Sequence, residues 1–112
     1  MAKPWVPRPG EVIRLDFNPV AGHEQANLRP AVVLSNQGFN DQSSLVVCVP
    51  CTTKIKGFPF EVAIAGLPEP TVALAHQIRT LDWRECESVS MSFAAAAKTA
   101  EIREKLKALL GI

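Results

Sequence analysis

Residues 30–35 read Pro-Ala-Val-Val-Leu-Ser, and this nearly unbroken apolar run decides the fold class. A β-rich run that is apolar at successive positions, rather than at alternate ones, predicts a strand buried on both faces. Such a strand needs cover on each side, because a single layer cannot bury two apolar faces. The rest of the chain therefore has to supply more strands and at least one covering element.

Further short strands are predicted on either side of this segment, at residues 11–17, 45–49, 60–64, 72–75 and 77–81. Pro50 is predicted to end the 45–49 strand, since proline cannot donate to a strand ladder. Polar segments rich in turn-forming residues separate the strands, at residues 18–28, 36–43 and 54–59. Residues 18–28 are too many for a tight hairpin, so we expect a functional loop there.

The end of the chain changes its apolar spacing. Ile102, Leu106, Leu109 and Leu110 stand at helical spacing, which predicts an amphipathic helix that begins as early as Ala95 and stops at Gly111. Many short strands and one terminal helix predict a mainly β fold. We expect a small curled barrel with a C-terminal α-helix covering one side, formed by residues 1–112 as a single domain.

Composition limits the classes of function that need considering. The net charge of the 112 residues is +1, so any attraction to nucleic acid must come from local clusters of Lys and Arg. The N-terminal residues carry several prolines and no apolar run, which excludes a secretory signal peptide, and no stretch approaches a membrane span. Three cysteines do not suggest a disulfide framework, so we expect a reduced, cytoplasmic protein.

Two of these cysteines, in Cys48-Val49-Pro50-Cys51, have the CxxC spacing of zinc and redox sites. A structural zinc needs two more ligands, and only Cys86 and two separated histidines remain to provide them. A redox pair of this spacing usually begins a helix, whereas this one ends a strand. We therefore expect three reduced structural thiols, with zinc as the alternative.

Six short phrases occur in one order along nearly the whole chain. They are Pro-Gly-Glu-Val-Ile at 9–13, Gly-His-Glu-Gln at 22–25, Arg-Pro-Ala-Val-Val-Leu-Ser at 29–35, Val-Pro-Cys-Thr-Thr at 49–53, Gly-Phe-Pro-Phe-Glu-Val at 57–62 and Gln-Ile-Arg-Thr-Leu-Asp at 77–82. Each phrase alone is unspecific. Together and in this order they resemble the MazF/PemK toxins of bacterial type II toxin–antitoxin systems.

The resemblance implies an SH3-like small barrel and a homodimer. It implies a sequence-specific endoribonuclease, or mRNA interferase, that cleaves single-stranded RNA without a metal or other cofactor. It also implies a cognate antitoxin of the MazE/PemI kind, whose flexible segment occupies the toxin's groove. Contact with DNA would be indirect, through the antitoxin complex.

Metal-free cleavage of RNA uses the substrate's own 2′-hydroxyl as nucleophile, so the protein must move protons and stabilise charge on the phosphate. By resemblance, Arg29 is catalytic, and its permanent charge and planar guanidinium suit it to hold two phosphate oxygens. Thr52 matches the family's catalytic threonine. Glu24 matches an acidic residue that could accept the 2′ proton or orient Arg29.

His76 departs from the family pattern, because many relatives carry an aspartate immediately before the glutamine that matches Gln77. Histidine titrates near neutrality, at a pKa of about 6.5, so it could take over proton transfer. Contact with a base, or a partly buried histidine with a satisfied hydrogen bond, are the alternatives. His23 is not matched to a functional residue of the family and is expected on the surface.

Further residues are expected to hold the RNA. Thr53, Lys54, Lys56 and Gly57 form a basic, flexible segment beside Thr52, suited to a phosphodiester backbone. Phe17 could stack on a base, with a core or interface position as the alternative. Gln77 could bind a base edge through its amide.

Two other classes of function share the predicted fold. CcdB-like toxins bind and poison DNA gyrase through C-terminal residues and cleave nothing, but this chain has Leu110 where that group carries a tryptophan. A plain SH3-like interaction module usually has an aromatic-rich groove, and this chain contains no tyrosine. An inactive relative that lost catalysis with the aspartate at position 76 is the remaining alternative.

Overall fold

The computed structural model describes residues 5–17, 28–86 and 88–112. Within them the chain forms seven strands and two α-helices. In order these are β1 (Glu11–Asp16), β2 (Leu28–Val33), α1 (Gln37–Ser43), β3 (Leu45–Thr52), β4 (Glu61–Ile64), β5 (Thr71–Leu74), a 3-10 turn (Ala75–Gln77), β6 (Arg79–Asp82), β7 (Val89–Phe93) and α2 (Ala96–Leu110). None of the helices in these ranges is long and apolar enough to cross a membrane.

The long strand β3 organises the sheet. One edge pairs antiparallel with β2, which leads on through β1 to β7. The other edge is divided: Leu45 to Cys48 pair with β6, whereas Cys51 and Thr52 pair with β5. The 3-10 turn joins β5 to β6 and fills the gap between them. The sheet curls at this division into a half-barrel.

Apolar side chains from the two faces of the sheet enter separate clusters. On β3, Val49 and Cys51 point to one face and Val46 and Cys48 to the other, as strand alternation requires. Helix α2 covers the first face with buried side chains that include Ile102. The second face packs a cluster of β1, β2 and β3 residues against the turn that follows β6. Strand β2 is accordingly buried on both faces at its C-terminal half, as predicted.

The mainly β fold with a C-terminal helix is confirmed, but the structure differs from the local predictions in four places. Residues 36–43 were expected to be a loop and contain α1; β3 continues through Pro50 to Thr52; and β7 was not predicted. Pro50 is accommodated because residues 49 and 50 have no ladder partner on the divided edge, so its missing N–H breaks no bond there. The predicted 77–81 strand begins only at Arg79, after the 3-10 turn.

Helix α1 is stabilised by tertiary hydrogen bonds rather than by its own sequence. Asn40 is fully buried, and its amide Nδ2 donates to the Pro7 carbonyl at 2.9 Å and to the Ser35 carbonyl at 3.1 Å. The Trp83 indole Nε1 donates to the Asn40 carbonyl oxygen at 2.9 Å. These bonds tie the N-terminal segment, the start of α1 and the turn after β6 into one unit, and the bonds to Pro7 and Trp83 join residues 33 and 43 positions apart, beyond the reach of a local sequence pattern.

Candidate active site

A cavity of about 290 Å³ opens where β2, the end of β3 and the 3-10 turn approach one another. The loop between β3 and β4 forms its remaining wall. Its lining combines cationic, hydroxyl, aromatic and amide side chains: Arg29, Thr52, Lys54, Lys56, Phe58, Phe60, Glu61, Leu74, His76 and Gln77. Three cations against one carboxylate give the lining an excess of positive charge, which favours a polyanion in this cavity.

Most of the residues predicted for the site meet in this cavity. Arg29, Thr52, Lys54, Lys56, His76 and Gln77 line it, although Arg29 and Gln77 are 48 positions apart in the sequence. Thr53 lines an adjoining pocket of about 240 Å³ that shares Arg29, Thr52 and Lys54. Gly57 lies in the loop wall, with a φ of +80° that only glycine adopts readily. Glu24 and His23 lie outside the described residues.

Arg29 stands at the open end of β2. It pairs with Leu15 of β1, and two residues later the strand becomes fully buried at Ala31. The exposed guanidinium is therefore carried by a rigid strand whose other half lies in the core. This placement suits a permanently charged group that has to meet a phosphate in a fixed orientation.

Thr52 ends β3, where it pairs with Val72 of β5. Its Oγ1 accepts a hydrogen bond from the Lys54 backbone N–H at 3.1 Å. Since a hydroxyl can accept and donate at once, this contact leaves the Thr52 proton available for an oxygen of a ligand. The same contact fixes the start of the basic loop to the end of the strand.

Side chains from β4 and α2 hold the loop of residues 53–60. Glu61 accepts hydrogen bonds from the backbone N–H groups of Lys56, at 3.1 Å, and Gly57, at 2.9 Å. From helix α2, the Lys105 ammonium group donates to the Pro59 carbonyl oxygen. These contacts define the conformation of the loop in the structure, and its flexibility stays a prediction.

His76 lies on the 3-10 turn, whose formation turns this part of the chain out of the sheet edge and toward the cavity. Its imidazole packs on the Phe60 ring, with centroids 3.7 Å apart and planes tilted by 49°. Gln77 Nε2 lies 3.4 Å from His76 Nε2. The two groups are close enough for a hydrogen bond in which the amide donates to an unprotonated ring nitrogen.

The structure corrects the assignment of Phe17 as a base-stacking residue. Its side chain is only 8% exposed and belongs to the buried cluster with Ile13 and Leu15. The Arg79 guanidinium lies over its ring, 5.2 Å from the centroid. A ring enclosed in this way offers no free face to a nucleobase. Phe17 is therefore a core aromatic residue, which was the alternative to a stacking role in the sequence-based prediction.

Two aromatic residues that line the cavity were not predicted as site residues. Phe58 and Phe60 flank Pro59 in the loop wall, and their ring centroids are 5.2 Å apart. The sequence signal for Phe58 was an aromatic residue two positions after Lys56, in a segment between two predicted strands. Glu61, which holds the loop, was also missed because its partners are backbone groups.

The cysteines of the CxxC sequence face opposite sides of the sheet. Cys48 lies in one buried cluster and Cys51 in the other, and both thiols are free. Burial raises the pKa of each thiol to about 12, so both are neutral at physiological pH. Burial also raises the pKa of Cys86, the remaining free thiol. Across residues 5–17, 28–86 and 88–112 no three His, Cys, Asp or Glu side chains lie together as a metal site would require.

Comparison with known proteins gives one consistent result. Residues 8–110 match the family described as PemK-like, MazF-like toxin of type II toxin–antitoxin system. The chain is 40% identical over 111 residues to the endoribonuclease toxin MazF of Escherichia coli K12, which covers 99% of this chain and 100% of the relative.

Solved structures agree with the sequence match. MazF of Deinococcus radiodurans superposes with a TM-score of 0.87 and 43% identity, over 97% of this chain and 100% of that one. A chain of the MazE–MazF complex from the same organism gives a TM-score of 0.85 and 37% identity, over 97% and 99%. The present chain thus belongs to the family of PemK-like and MazF-like toxins of type II toxin–antitoxin systems.

Proposed function

We propose that this protein is a toxin that cleaves single-stranded RNA at a short specific sequence, without a metal ion, and that a cognate antitoxin neutralises it. The observation that carries the proposal is the meeting of Arg29, Thr52 and His76 in one positively charged cavity. The family relationship, and a relative that is named an endoribonuclease, support RNA cleavage as the reaction.

The proposed step begins when the substrate's 2′-oxygen attacks the adjacent phosphorus. The 2′ proton passes to a base, the bond from phosphorus to the 5′-oxygen breaks, and that oxygen takes up a proton as it leaves. The products are a 2′,3′-cyclic phosphate and a 5′-hydroxyl. Because the nucleophile comes from the substrate, the protein has to supply positive charge and proton transfer only.

Each cavity residue has a role in this scheme. Arg29 binds two phosphate oxygens and stabilises the charge that builds up on the phosphorane. The Thr52 hydroxyl donates a hydrogen bond to another oxygen of the same phosphate group. His76 accepts or returns a proton, and Glu24 either shares that task or orients Arg29. Lys54, Lys56 and Thr53 hold the neighbouring phosphodiester groups, and Gln77 binds a base edge.

The proposed partners follow from the same relationship. The solved relatives include complexes named MazE–MazF, which supports an antitoxin for this chain whose flexible segment enters the groove. We infer a homodimer, for which the apolar strands and the C-terminal helix, with exposed Leu109 and Leu110, are candidate surfaces. Three free thiols support a reducing, cytoplasmic setting.

The test is incubation of the purified protein in EDTA with a long single-stranded RNA, with ends mapped by primer extension. Arg29→Ala is the inactive variant. Arg84→Ala is the matched control, because Arg84 is an exposed arginine paired with Asp41 and does not line the cavity. We expect cuts at one short recurring sequence with the wild type and Arg84→Ala, and none with Arg29→Ala. RNA left intact by excess wild-type protein would contradict the proposal and favour the gyrase-binding alternative, which a supercoiling assay then examines.

A further inference from the structure

An apolar ring in the cavity wall has no role in the chemistry above. Phe58 is 48% exposed, although phenylalanine exposes no polar atom that would benefit from water. It belongs to the same loop as Lys54 and Lys56 and lines the same cavity as Arg29. Exposed aromatics among cations are typical of sites that bind unpaired nucleotides, where rings take the bases and cations take the phosphates.

Phe58 is the outermost ring of a continuous row. Its centroid lies 5.2 Å from that of Phe60, with the planes tilted by 34°, and Phe60 in turn packs on His76. The row therefore runs from the rim of the cavity to the group proposed to transfer protons. A base on the outer side of Phe58 would extend this row and place its own phosphate near the cations.

The backbone around the row is fixed before any ligand binds. The Phe58 carbonyl oxygen accepts the Glu61 N–H at 3.1 Å, and the Phe60 carbonyl oxygen accepts the Ala75 N–H at 3.1 Å. Lys105 holds the intervening Pro59. A preorganised ring binds a planar ligand at a lower entropic cost than a mobile one, so the exposed position of Phe58 suits binding.

We propose that Phe58 is a stacking platform for one unpaired nucleobase of the RNA, adjacent to the phosphate held at Arg29. This inference rests on the proposed function and replaces Phe17 by Phe58 as the stacking residue. A phenylalanine ring has no hydrogen-bonding group, so the platform accepts any base and adds affinity rather than sequence selectivity. Selectivity has to come from polar groups such as Gln77.

The experiment uses single-stranded RNAs that carry 2-aminopurine at successive positions and 2′-O-methyl groups in place of the attacking 2′-hydroxyls, so that they bind protein that retains Arg29 but are not cleaved. Phe58→Ala is compared with Phe58→Trp, and with Phe39→Ala as the control. Phe39 is 44% exposed, on α1, and does not line the cavity. Anisotropy gives affinity, 2-aminopurine fluorescence reports stacking, and circular dichroism checks folding.

We expect Phe58→Ala to weaken RNA binding about tenfold and to abolish the quenching of 2-aminopurine at one position. Phe58→Trp should retain both affinity and quenching, and Phe39→Ala should change neither. Equal RNA affinity and equal quenching for the folded Phe58→Ala and Phe39→Ala proteins would contradict the stacking role of Phe58. Contact with a protein partner would then be the explanation for the exposed ring. Cleavage of unmodified RNA is measured in parallel. If the wild type cleaves RNA while Phe58→Ala binds it normally, only the stacking platform is refuted. If the wild type neither binds nor cleaves RNA, the proposed function is refuted.

Discussion

His76 is the cavity residue whose predicted role in proton transfer depends most directly on its residue type. The structure places its imidazole in the cavity with Arg29 and Thr52, packed on Phe60 and near the Gln77 amide. A carboxylate at this place could act only as a base near neutral pH, whereas an imidazole can also return the proton. Histidine in place of the aspartate expected from the family resemblance therefore changes the predicted pH dependence of the cleavage rate more than it changes the predicted reaction.

We predict that His76→Asn lowers kcat/KM for RNA about a hundredfold and flattens its dependence on pH, because asparagine cannot transfer a proton. His76→Asp, which introduces the residue common in the family, should restore activity and extend it to lower pH, since a carboxyl of ordinary pKa near 3.9 stays ionised there. Initial rates of a defined oligonucleotide between pH 5 and 9 measure both effects. A His76→Asn enzyme with unchanged rate and profile would remove His76 from the mechanism.

Residue type and local pattern were enough to select most of the cavity lining. Cations beside a strand-end threonine, and a histidine beside a glutamine, are recognisable because the chemistry needs those groups and the family phrases mark their positions. Residue type and local pattern do not show whether Phe17 or Phe58 has the exposed ring. Both are aromatic residues at or near the end of a predicted strand or loop, and only the three-dimensional structure shows that the Phe17 ring is enclosed and the Phe58 ring is exposed.

At the scale of elements, the loop between β3 and β4 is the part of the fold most directly tied to the site. It supplies Lys54, Lys56 and Phe58 to the cavity, and Glu61 at the start of β4 holds two of its backbone N–H groups. The Glu61 carboxylate thus contributes, together with Lys105, to the order of the segment that is proposed to bind phosphodiester groups. Its removal should affect substrate binding more than chemistry.

We predict that Glu61→Gln raises KM for RNA several-fold with a smaller change in kcat, because a neutral amide accepts the two N–H groups more weakly than a carboxylate. Hydrogen exchange should show reduced protection of the Lys56 and Gly57 amides. Glu69→Gln is the matched control, since the hydrogen bond made there uses the Glu69 backbone carbonyl. Unaltered exchange at these two amides in Glu61→Gln would show that the loop does not depend on this carboxylate.

Elements with a strong periodic signal were predictable, and those made by tertiary contacts were not. Strand β2 and helix α2 follow from an apolar run and a helical stripe. Helix α1 depends on the buried amide of Asn40, and the 3-10 turn depends on the division of the β3 edge between β5 and β6. Neither cause is visible in a local stretch of sequence, although the 3-10 turn is what brings His76 to the cavity.

For the whole molecule, the divided sheet produces both the stable core and the site. Each face of β3 contributes side chains to its own buried cluster, and the cavity lies where this strand ends. The buried thiols Cys48 and Cys51 are part of this core on opposite faces. Because their ionisation is suppressed only in the folded chain, they link its global stability to pH.

We predict that the free energy of unfolding decreases as pH rises above about 9. In that range the unfolded chain releases thiol protons at an ordinary pKa near 9.0, whereas the folded chain retains those of Cys48 and Cys51 up to a pKa of about 12. The folded state then binds more protons, and each thiol contributes a slope of up to about 1.4 kcal/mol per pH unit. Below pH 9 both states hold these protons, so this contribution is constant.

Urea unfolding at several pH values between 7 and 11 measures this slope. The Cys48→Ala/Cys51→Ala double variant should be less stable at pH 7, because cavities replace the two thiols, but its stability should fall less steeply above pH 9. The chain contains no tyrosine, and lysine ionisation is common to both proteins, so the difference in slope isolates the thiols. Parallel curves for the two proteins would contradict the assignment.

The central claim is that the cavity at Arg29 cleaves RNA through the substrate's own 2′-hydroxyl and needs no metal ion. The most direct measurement compares two oligonucleotides that contain the mapped site, one all-ribose and one with a single 2′-deoxy sugar on the 5′ side of the cut, both incubated in EDTA. We predict that the all-ribose strand is cut into fragments ending in a 2′,3′-cyclic phosphate and a 5′-hydroxyl, and that the substituted strand stays intact. Cleavage of the 2′-deoxy strand, or fragments with a 3′-hydroxyl and a 5′-phosphate, would contradict the account, because the attacking oxygen would then come from somewhere other than the RNA.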